Sequence, residues 1–176
     1  APCKPLVKKG DYVKVGQLLG DTEAFVSAPI HSSVSGTVTG IEEVRSANGG
    51  KDTLVVIETD KLQEVYEGIE VPVANDLPEF VKAIRASGLV GLGGASFPTH
   101  IKFNPKNIDA VHTLIVNAAE CEPFITSDHR LMLEDAEDLI AGCQLVMKFL
   151  GLSEGFIGIE DNKMDAIQHL DQLLAA

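Results

Sequence analysis

The sequence predicts an all-β unit followed by an α/β unit, and three observations carry that prediction. Residues 1–60 are rich in Val, Ile, Thr and Gly. Their short apolar stretches are cut by closely spaced turn signals: Lys9-Gly10-Asp11, Val15-Gly16-Gln17, Ala28-Pro29, Ser35-Gly36 and Asn48-Gly49-Gly50. Beyond residue 78, apolar runs of strand type alternate with stretches of helical spacing, the pattern of a parallel sheet with right-handed crossovers. Hydrophobic residues make up 45% of the 176, ample core for one medium domain or two small ones.

Each element follows in turn. The first 60 residues form the all-β unit, and the acidic, irregular stretch 61–77 connects it to residues 78–176. A helix begins at Asp76, an N-cap with Pro78 in the first turn and Glu79 three residues on. Phe80, Val81 and Ile84 form its apolar stripe, and Gly88 closes it. The run Val111-His112-Thr113-Leu114-Ile115-Val116 reads as a strand. A long helix over about 127–150 starts at Thr126-Ser127-Asp128. Leu131, Leu139, Ile140, Cys143, Val146, Met147 and Leu150 recur along it at helical spacing before Gly151. Phe156-Ile157-Gly158-Ile159 marks a buried strand over 155–160, and a last helix covers about 162–175. The second half shows no internal repeat, and no segment is of low complexity.

Charge excludes several function classes. Fourteen basic residues against twenty-six acidic ones leave a net charge of −12, which disfavours nucleic acid and anionic lipid as partners of most of the surface. No apolar run approaches the roughly 20 residues that span a bilayer, and the N-terminus lacks a basic-then-apolar signal pattern. The expectation is a soluble protein that docks peripherally on a membrane complex. Cys3, Cys121 and Cys143 are too few and too scattered for a disulfide framework or a metal knuckle, so free thiols are expected, with Cys143 in the core. The chain starts at Ala1 and stops at Leu173-Leu174-Ala175-Ala176 inside a helical pattern, which points to a fragment of something longer.

Two segments carry chemistry. Between Gly88 and Lys102 the chain places Gly88, Gly91, Gly93 and Gly94, then Phe97 and the lysine, within fifteen residues. Glycines let successive N–H groups converge on an anion and the lysine adds a full charge, so the segment suits a phosphate. Its alternative reading is a tight turn or close packing alone. The glycines follow a helix and precede Phe97-Pro98, so this is not the dinucleotide fingerprint that follows a strand. The second segment, Asn117-Ala118-Ala119-Glu120-Cys121-Glu122-Pro123, follows the strand directly, where an open α/β sheet presents ligand groups. Asn117 suits a flavin pyrimidine edge or a ribose, or caps the turn after the strand. Glu120 and Glu122 bind sugar hydroxyls or are simply solvated. No histidine accompanies them at metal-ligand spacing, since His129 falls in the first turn of the next helix, and no metal site is expected. Cys121 between two carboxylates has its thiolate disfavoured, so no catalytic nucleophile is expected.

Val7 to Gly20, with Ser27-Ala28-Pro29 and Val34-Ser35-Gly36-Thr37-Val38-Thr39-Gly40-Ile41, resembles the barrel-sandwich hybrid of biotinyl and lipoyl carrier domains. The turn that would carry a modified lysine is best matched by Pro29-Ile30-His31-Ser32-Ser33, which has none, so covalent biotin or lipoate is not expected. His31 is read as a solvated loop residue.

Residues 91–102, Val116 to Pro123, Asp128-His129-Arg130 and Ile157-Gly158-Ile159-Glu160-Asp161-Asn162-Lys163 resemble the C subunits of Rnf-type ion-translocating ferredoxin:NAD oxidoreductases. The same core is similar to the flavoprotein subunit of respiratory complex I, which binds FMN and NADH on a Rossmann-like α/β domain. The resemblance implies FMN and NAD(H) as cofactors. Gly91, Gly93, Gly94 and Lys102 would cradle the FMN phosphate and ribityl chain. Asn117 and Glu120 would approach the flavin, Glu122 would lie nearer the nicotinamide, and Phe97 would pack against the adenine of NADH. Ala119 and Cys121 depart from the complex I pattern of serine-type and acidic residues. A second flavin motif and two cysteine-rich [4Fe-4S] motifs lie further along in family members, and none falls in these 176 residues. The implied activity is hydride exchange between NAD(H) and FMN, then single-electron transfer to [4Fe-4S] clusters, at the cytoplasmic face of the bacterial membrane beside the other members of the complex. Alone, this stretch would not turn over. A cobalamin-reducing flavoprotein of propanediol utilisation and a non-catalytic assembly module are the alternatives, and the N-terminal place of the barrel-sandwich unit favours the Rnf type.

Overall fold

A computed structural model describes residues 2–46, 49–92 and 95–175. Asn48 of the expected turn, Gly93 and Gly94 of the glycine segment, and the terminal Ala1 and Ala176 lie outside the described residues. The chain divides into two compact units, Ala1–Pro105 and Lys106–Ala176.

The first unit holds β1 (Lys4–Pro5), β2 (Tyr12–Val13), β3 (Leu18–Asp21), β4 (Ile30–His31), β5 (Gly36–Arg45), β6 (Lys51–Thr59), α1 (Leu77–Ala86) and α2 (Thr99–Lys102). Among the described residues its strands form two three-stranded antiparallel sheets, ordered β1-β3-β4 and β2-β5-β6. Alternation along β2, β3 and β5 sends Val13, Leu19 and Val38 inward, where Val7, Val55 and Ile57 pack on them. The expected connecting stretch is tied to the sheets at its start. Tyr12 donates its hydroxyl to Asp60 at 2.6 Å and Glu64 at 3.1 Å, which pushes its pKa up to about 12. Lys14 pairs with Glu64 at 2.7 Å and with Glu67.

Helix α1 starts as its residues dictate: the Asp76 carboxylate accepts from the Glu79 amide at 2.9 Å, with Pro78 in the first turn. Arg85, in its last turn, donates twice to the Asp21 carboxylate, at 2.8 and 3.2 Å, and once to the Thr22 carbonyl at 2.8 Å. This bidentate pair clamps α1 to the end of β3. Phe80 meets Phe103 just after α2, with ring centroids 5.8 Å apart.

In the second unit a 3-10 turn (Ile108–Ala110) leads into β7 (Thr113–Asn117), α3 (Ser127–Glu134), α4 (Ala136–Leu150), β8 (Glu154–Gly158) and α5 (Met164–Leu174). β7 and β8 pair in parallel with Ile115 opposite Phe156, so α3 and α4 form the crossover of a βαβ unit. Met132, Ala136, Ala166 and Leu170 from the three helices bury against Ala118, Ile157 and Ile159. Ile115 and Phe156, cross-strand neighbours, are exposed on one sheet face.

The single helix expected over 127–150 is two. Asp135, at φ −126° and ψ 33°, leaves helical geometry between them. The hydrophobic period runs through the break, but the polar residues do not favour continuity there. Aspartate competes for the backbone in non-helical conformations, and Glu137 and Asp138 sit best in a first turn facing a helix N-terminus. Cys143 is half-buried rather than in the packed core; it borders a cavity of about 520 Å³ beside β7, β8 and α5, and burial raises its pKa.

Candidate functional site

Residues 87–102 belong entirely to the first unit. Gly88, at φ +74°, ends α1, and a Cβ there would sit 2.7 Å from the Pro29 carbonyl and 3.0 Å from His31 Nδ1. Only glycine lets the two backbones approach this closely. His31 is therefore not a solvated loop residue: it pairs opposite Leu18 in β4, is half-buried, and has the Gly88 backbone against its imidazole. The segment is closed on itself by its own backbone. The Gly91 amide donates to the Phe97 carbonyl at 2.9 Å, the Thr99 amide to the Leu89 carbonyl at 3.1 Å, and Val90 bridges Pro98. Ser96 takes a left-handed conformation at φ +48°. A cavity of about 640 Å³ is bordered by Ser87, Gly88, Val90 and Phe97 on one side and by residues 26–31, which run into β4, on the other.

Lys102 ends α2, with its ammonium 3.6 Å from where a Cβ of Gly91 would be. It is exposed and, among the described residues, forms no ion pair. In a chain of net charge −12, an exposed lysine outside any ion pair among the described residues leaves a local positive charge over a glycine backbone. Phe97, five residues earlier, is exposed. His100, two residues before the end of α2, is buried with Nδ1 lacking a hydrogen-bond partner, and burial followed by the nearby Arg85 charge depresses its pKa.

Asn117, Glu120 and Glu122 lie in the second unit. The Asn117 side-chain carbonyl accepts from the Ala119 amide at 3.2 Å, capping the turn after β7 and leaving its amide nitrogen available. Glu120 points into the protein. Its Oε1 accepts from the Asp128 amide at 2.9 Å and the Ser127 hydroxyl at 3.2 Å, and its Oε2 accepts from Lys163 Nζ at 3.0 Å and the His129 amide at 3.5 Å. Burial pushes the carboxyl pKa up, but the Asp128 amide, Lys163, the His129 amide and Ser127 together overcome it and hold the value at about 2. Glu122 and Cys121 are exposed.

Sequence reasoning missed two residues here. Phe124 is fully exposed and held at φ +66°, a left-handed conformation uncommon for a bulky side chain; an aromatic directly after Pro123 was the available signal. Lys163 was read only as part of a family motif. Its position as the N-cap of α5, where a cation opposes the helix dipole, is the signal that it serves something else.

Comparison with known proteins divides the chain earlier than its two compact units do, with the glycine segment on the side of the second family model. A family model described as the Nuo51 FMN-binding domain matches residues 84–176, and one described as the RnfC barrel sandwich hybrid domain matches residues 1–62. These define a flavin-binding α/β protein with a barrel-sandwich hybrid in front. The chain is 46% identical over 174 residues to the C subunit of the Na(+)-translocating ferredoxin:NAD(+) oxidoreductase complex of Acetobacterium woodii, covering 97% of this chain and 39% of that protein. It is 44% identical over 173 residues to the C subunit of the proton-translocating ferredoxin:NAD(+) oxidoreductase complex of Clostridium ljungdahlii, covering 96% and 37%. Against the C subunit of the ion-translocating oxidoreductase complex of Pseudomonas aeruginosa, identity is 38% over 178 residues, covering 99% and 23%. The chain thus spans two-fifths or less of the length of these relatives, and it belongs to the family of Rnf-type C subunits built on the Nuo51-type FMN-binding domain.

Proposed function

We propose that the chain is the FMN- and NAD(H)-binding part of an electron-transfer subunit in a membrane-bound ferredoxin:NAD oxidoreductase complex. The observation that carries the reading is Lys102, exposed, unpaired among the described residues and set over the backbone of Gly91. Gly91, Gly93, Gly94 and Lys102 hold the flavin phosphate. Asn117 keeps a free side-chain amide for the pyrimidine edge, and Glu122 offers an exposed carboxylate to hydroxyls of the nicotinamide half. Phe97 provides a flat apolar face for adenine. Bound FMN would supply the chemistry that links a two-electron hydride donor to one-electron carriers, the [4Fe-4S] clusters expected elsewhere in the full-length protein. The chain's own residues bind, orient and neutralise; none donates or removes a proton in this scheme.

The protein sits peripherally at the cytoplasmic face with the other members of the complex as partners. No described helix is long and apolar enough to cross a membrane. The test is anaerobic titration of the full-length protein with FMN, then NADH, followed by flavin absorbance. Bleaching that is lost in Gly94→Val and Lys102→Ala supports the reading. Bound flavin that NADH leaves oxidised would point to another electron donor, and no flavin binding would leave the assembly role in front.

A further inference from the structure

The segment Cys121–Thr126 carries two exposed groups, Glu122 and Phe124, and little of its own holds it in place. Its one internal backbone bond runs from the Ile125 amide to the Glu122 carbonyl at 3.2 Å. Phe124 occupies a left-handed conformation at φ +66°, which is strained for a residue with a Cβ. A short loop keeps such a residue only when its two ends are fixed.

Both ends are fixed by one carboxylate. Glu120 stands immediately before the loop, and the groups it accepts from, the Ser127 hydroxyl and the Asp128 and His129 amides, stand immediately after it. Glu120 therefore closes the loop at its base. The same bonds satisfy first-turn amides of α3, whose own N-cap, Thr126, makes no side-chain capping bond. Each Glu120 oxygen already has two donors, and a carboxylate has about four acceptor positions, so its capacity is spent within the protein.

A buried carboxylate needs a counter-charge, and Lys163 provides it. The two side chains are 1% and 12% exposed, and the pair bridges the end of β7 to the start of α5 across 43 residues of sequence. Lys163 gains nothing from its own helix. It is a cation at a helix N-terminus and makes no capping bond there, while Glu160 joins it at 3.0 Å from the preceding turn. Removing one partner of such a pair leaves an uncompensated buried charge, which is far more costly than the pair's net contribution.

We infer that Lys163 and Glu120 are positioning residues: together they clamp the base of the 121–126 loop and so present Glu122 and Phe124 to the bound ligand, with Glu120 itself making no ligand contact. The inference rests on the FMN and NAD(H) reading for what the ligand is, but the clamp can be read without any ligand.

The experiment uses the full-length protein as wild type and as Lys163→Met, Lys163→Arg and Glu120→Gln. It measures amide hydrogen exchange at Asp128 and His129 and FMN affinity from flavin fluorescence across about pH 5–8. The expected result for Lys163→Met is exchange at those two amides faster by about tenfold or more, with β7 and α4 unchanged, and FMN affinity weaker by about the same factor. Lys163→Arg should restore most of both, because a guanidinium still supplies charge and donors. Wild-type affinity should vary little with pH on account of Glu120, whereas Lys163→Met should gain a pH dependence as the buried carboxyl moves up into the measured range.

Unchanged exchange in Lys163→Met would overturn the inference. If Lys163→Met does not fold, the isosteric Glu120→Gln decides. Faster exchange at Asp128 and His129 supports the clamp, and weakened FMN binding with exchange intact would make Glu120 a direct ligand contact and overturn it. A wild-type protein that binds no FMN would defeat the flavin reading alone, since the exchange data still judge the clamp.

Discussion

The glycine segment and the acidic loop solve opposite problems. Residues 88–102 are shaped by backbone, with amide-to-carbonyl bonds at 2.9 and 3.1 Å closing the turn while the one charged side chain, Lys102, stays unpaired among the described residues. Residues 117–129 are shaped by a side chain, Glu120, whose charge is consumed inside the fold by Lys163 and the start of α3. The first segment leaves its charge exposed, and the second buries one carboxylate, Glu120, while its neighbour Glu122 stays in solvent. Two acidic residues in one short stretch thus have different chemistry, because the fold buries one among donors and leaves the other in solvent.

The largest expected effect contrasts two glycines that end helices. Gly88 after α1 and Gly151 after α4 both adopt positive φ, +74° and +67°, but a Cβ at Gly88 meets the Pro29 carbonyl at 2.7 Å while one at Gly151 meets nothing within 4 Å. Gly151→Ala should cost only the left-handed conformation, about 1–2 kcal/mol. Gly88→Ala should add a backbone clash that His31 and Pro29 cannot relieve, about 2–5 kcal/mol in all. Denaturant midpoints of the two variants would check this, and equal losses would mean that the 29–31 stretch yields more readily than its strand pairing suggests.

Next in size is Lys102→Ala. A charge-assisted contact to phosphate is worth about 1.5–3 kcal/mol, so FMN affinity should fall by roughly one to two orders of magnitude. Stability should stay within about 0.5 kcal/mol, as expected for an exposed side chain outside any ion pair. The reverse pattern, lost stability with affinity kept, would make the lysine a structural residue and leave the glycine segment a tight turn.

What could be read from the sequence follows how local each feature is. Helix α1 announces itself within a dozen residues through Asp76, Pro78, Glu79 and Gly88, and the structure realises each of them. The parallel pairing of β7 with β8 follows from apolar runs separated by helical spacing. The break at Asp135 is hidden because Leu131 and Leu139 keep the helical period across it, and a hydrophobic period reports which face is buried rather than whether the backbone is continuous. The partnership of Glu120 with Lys163 and the closeness of His31 to Gly88 span 43 and 57 residues, so no local pattern encodes them. The start of α3 is legible at Thr126-Ser127-Asp128, but Thr126 makes no side-chain capping bond and Glu120, six positions earlier, accepts from the first-turn amides instead.

The smallest effects are those that pH draws out, and they separate the two segments again. His100 in α2 is held neutral, its pKa lowered from 6.5 by burial and by Arg85. A histidine whose folded pKa is depressed contributes stability that is complete above its unfolded pKa and is lost as pH falls below about 6.5 toward the folded value. Glu120 is depressed from 4.5 to about 2, so its contribution is complete above pH 4.5 and is lost only between 4.5 and 2. On acidification the α1–α2 region of the first unit should loosen first and the base of the 121–126 loop last. Site-resolved amide exchange from pH 7 to pH 3 would show the order. His100→Gln should abolish the early phase while leaving the late one, and Glu120→Gln should do the converse. If both regions loosen over one pH interval in the wild type, these two side chains do not govern the acid response, and the contrast between a neutral buried histidine and a clamped carboxylate loses its physical basis.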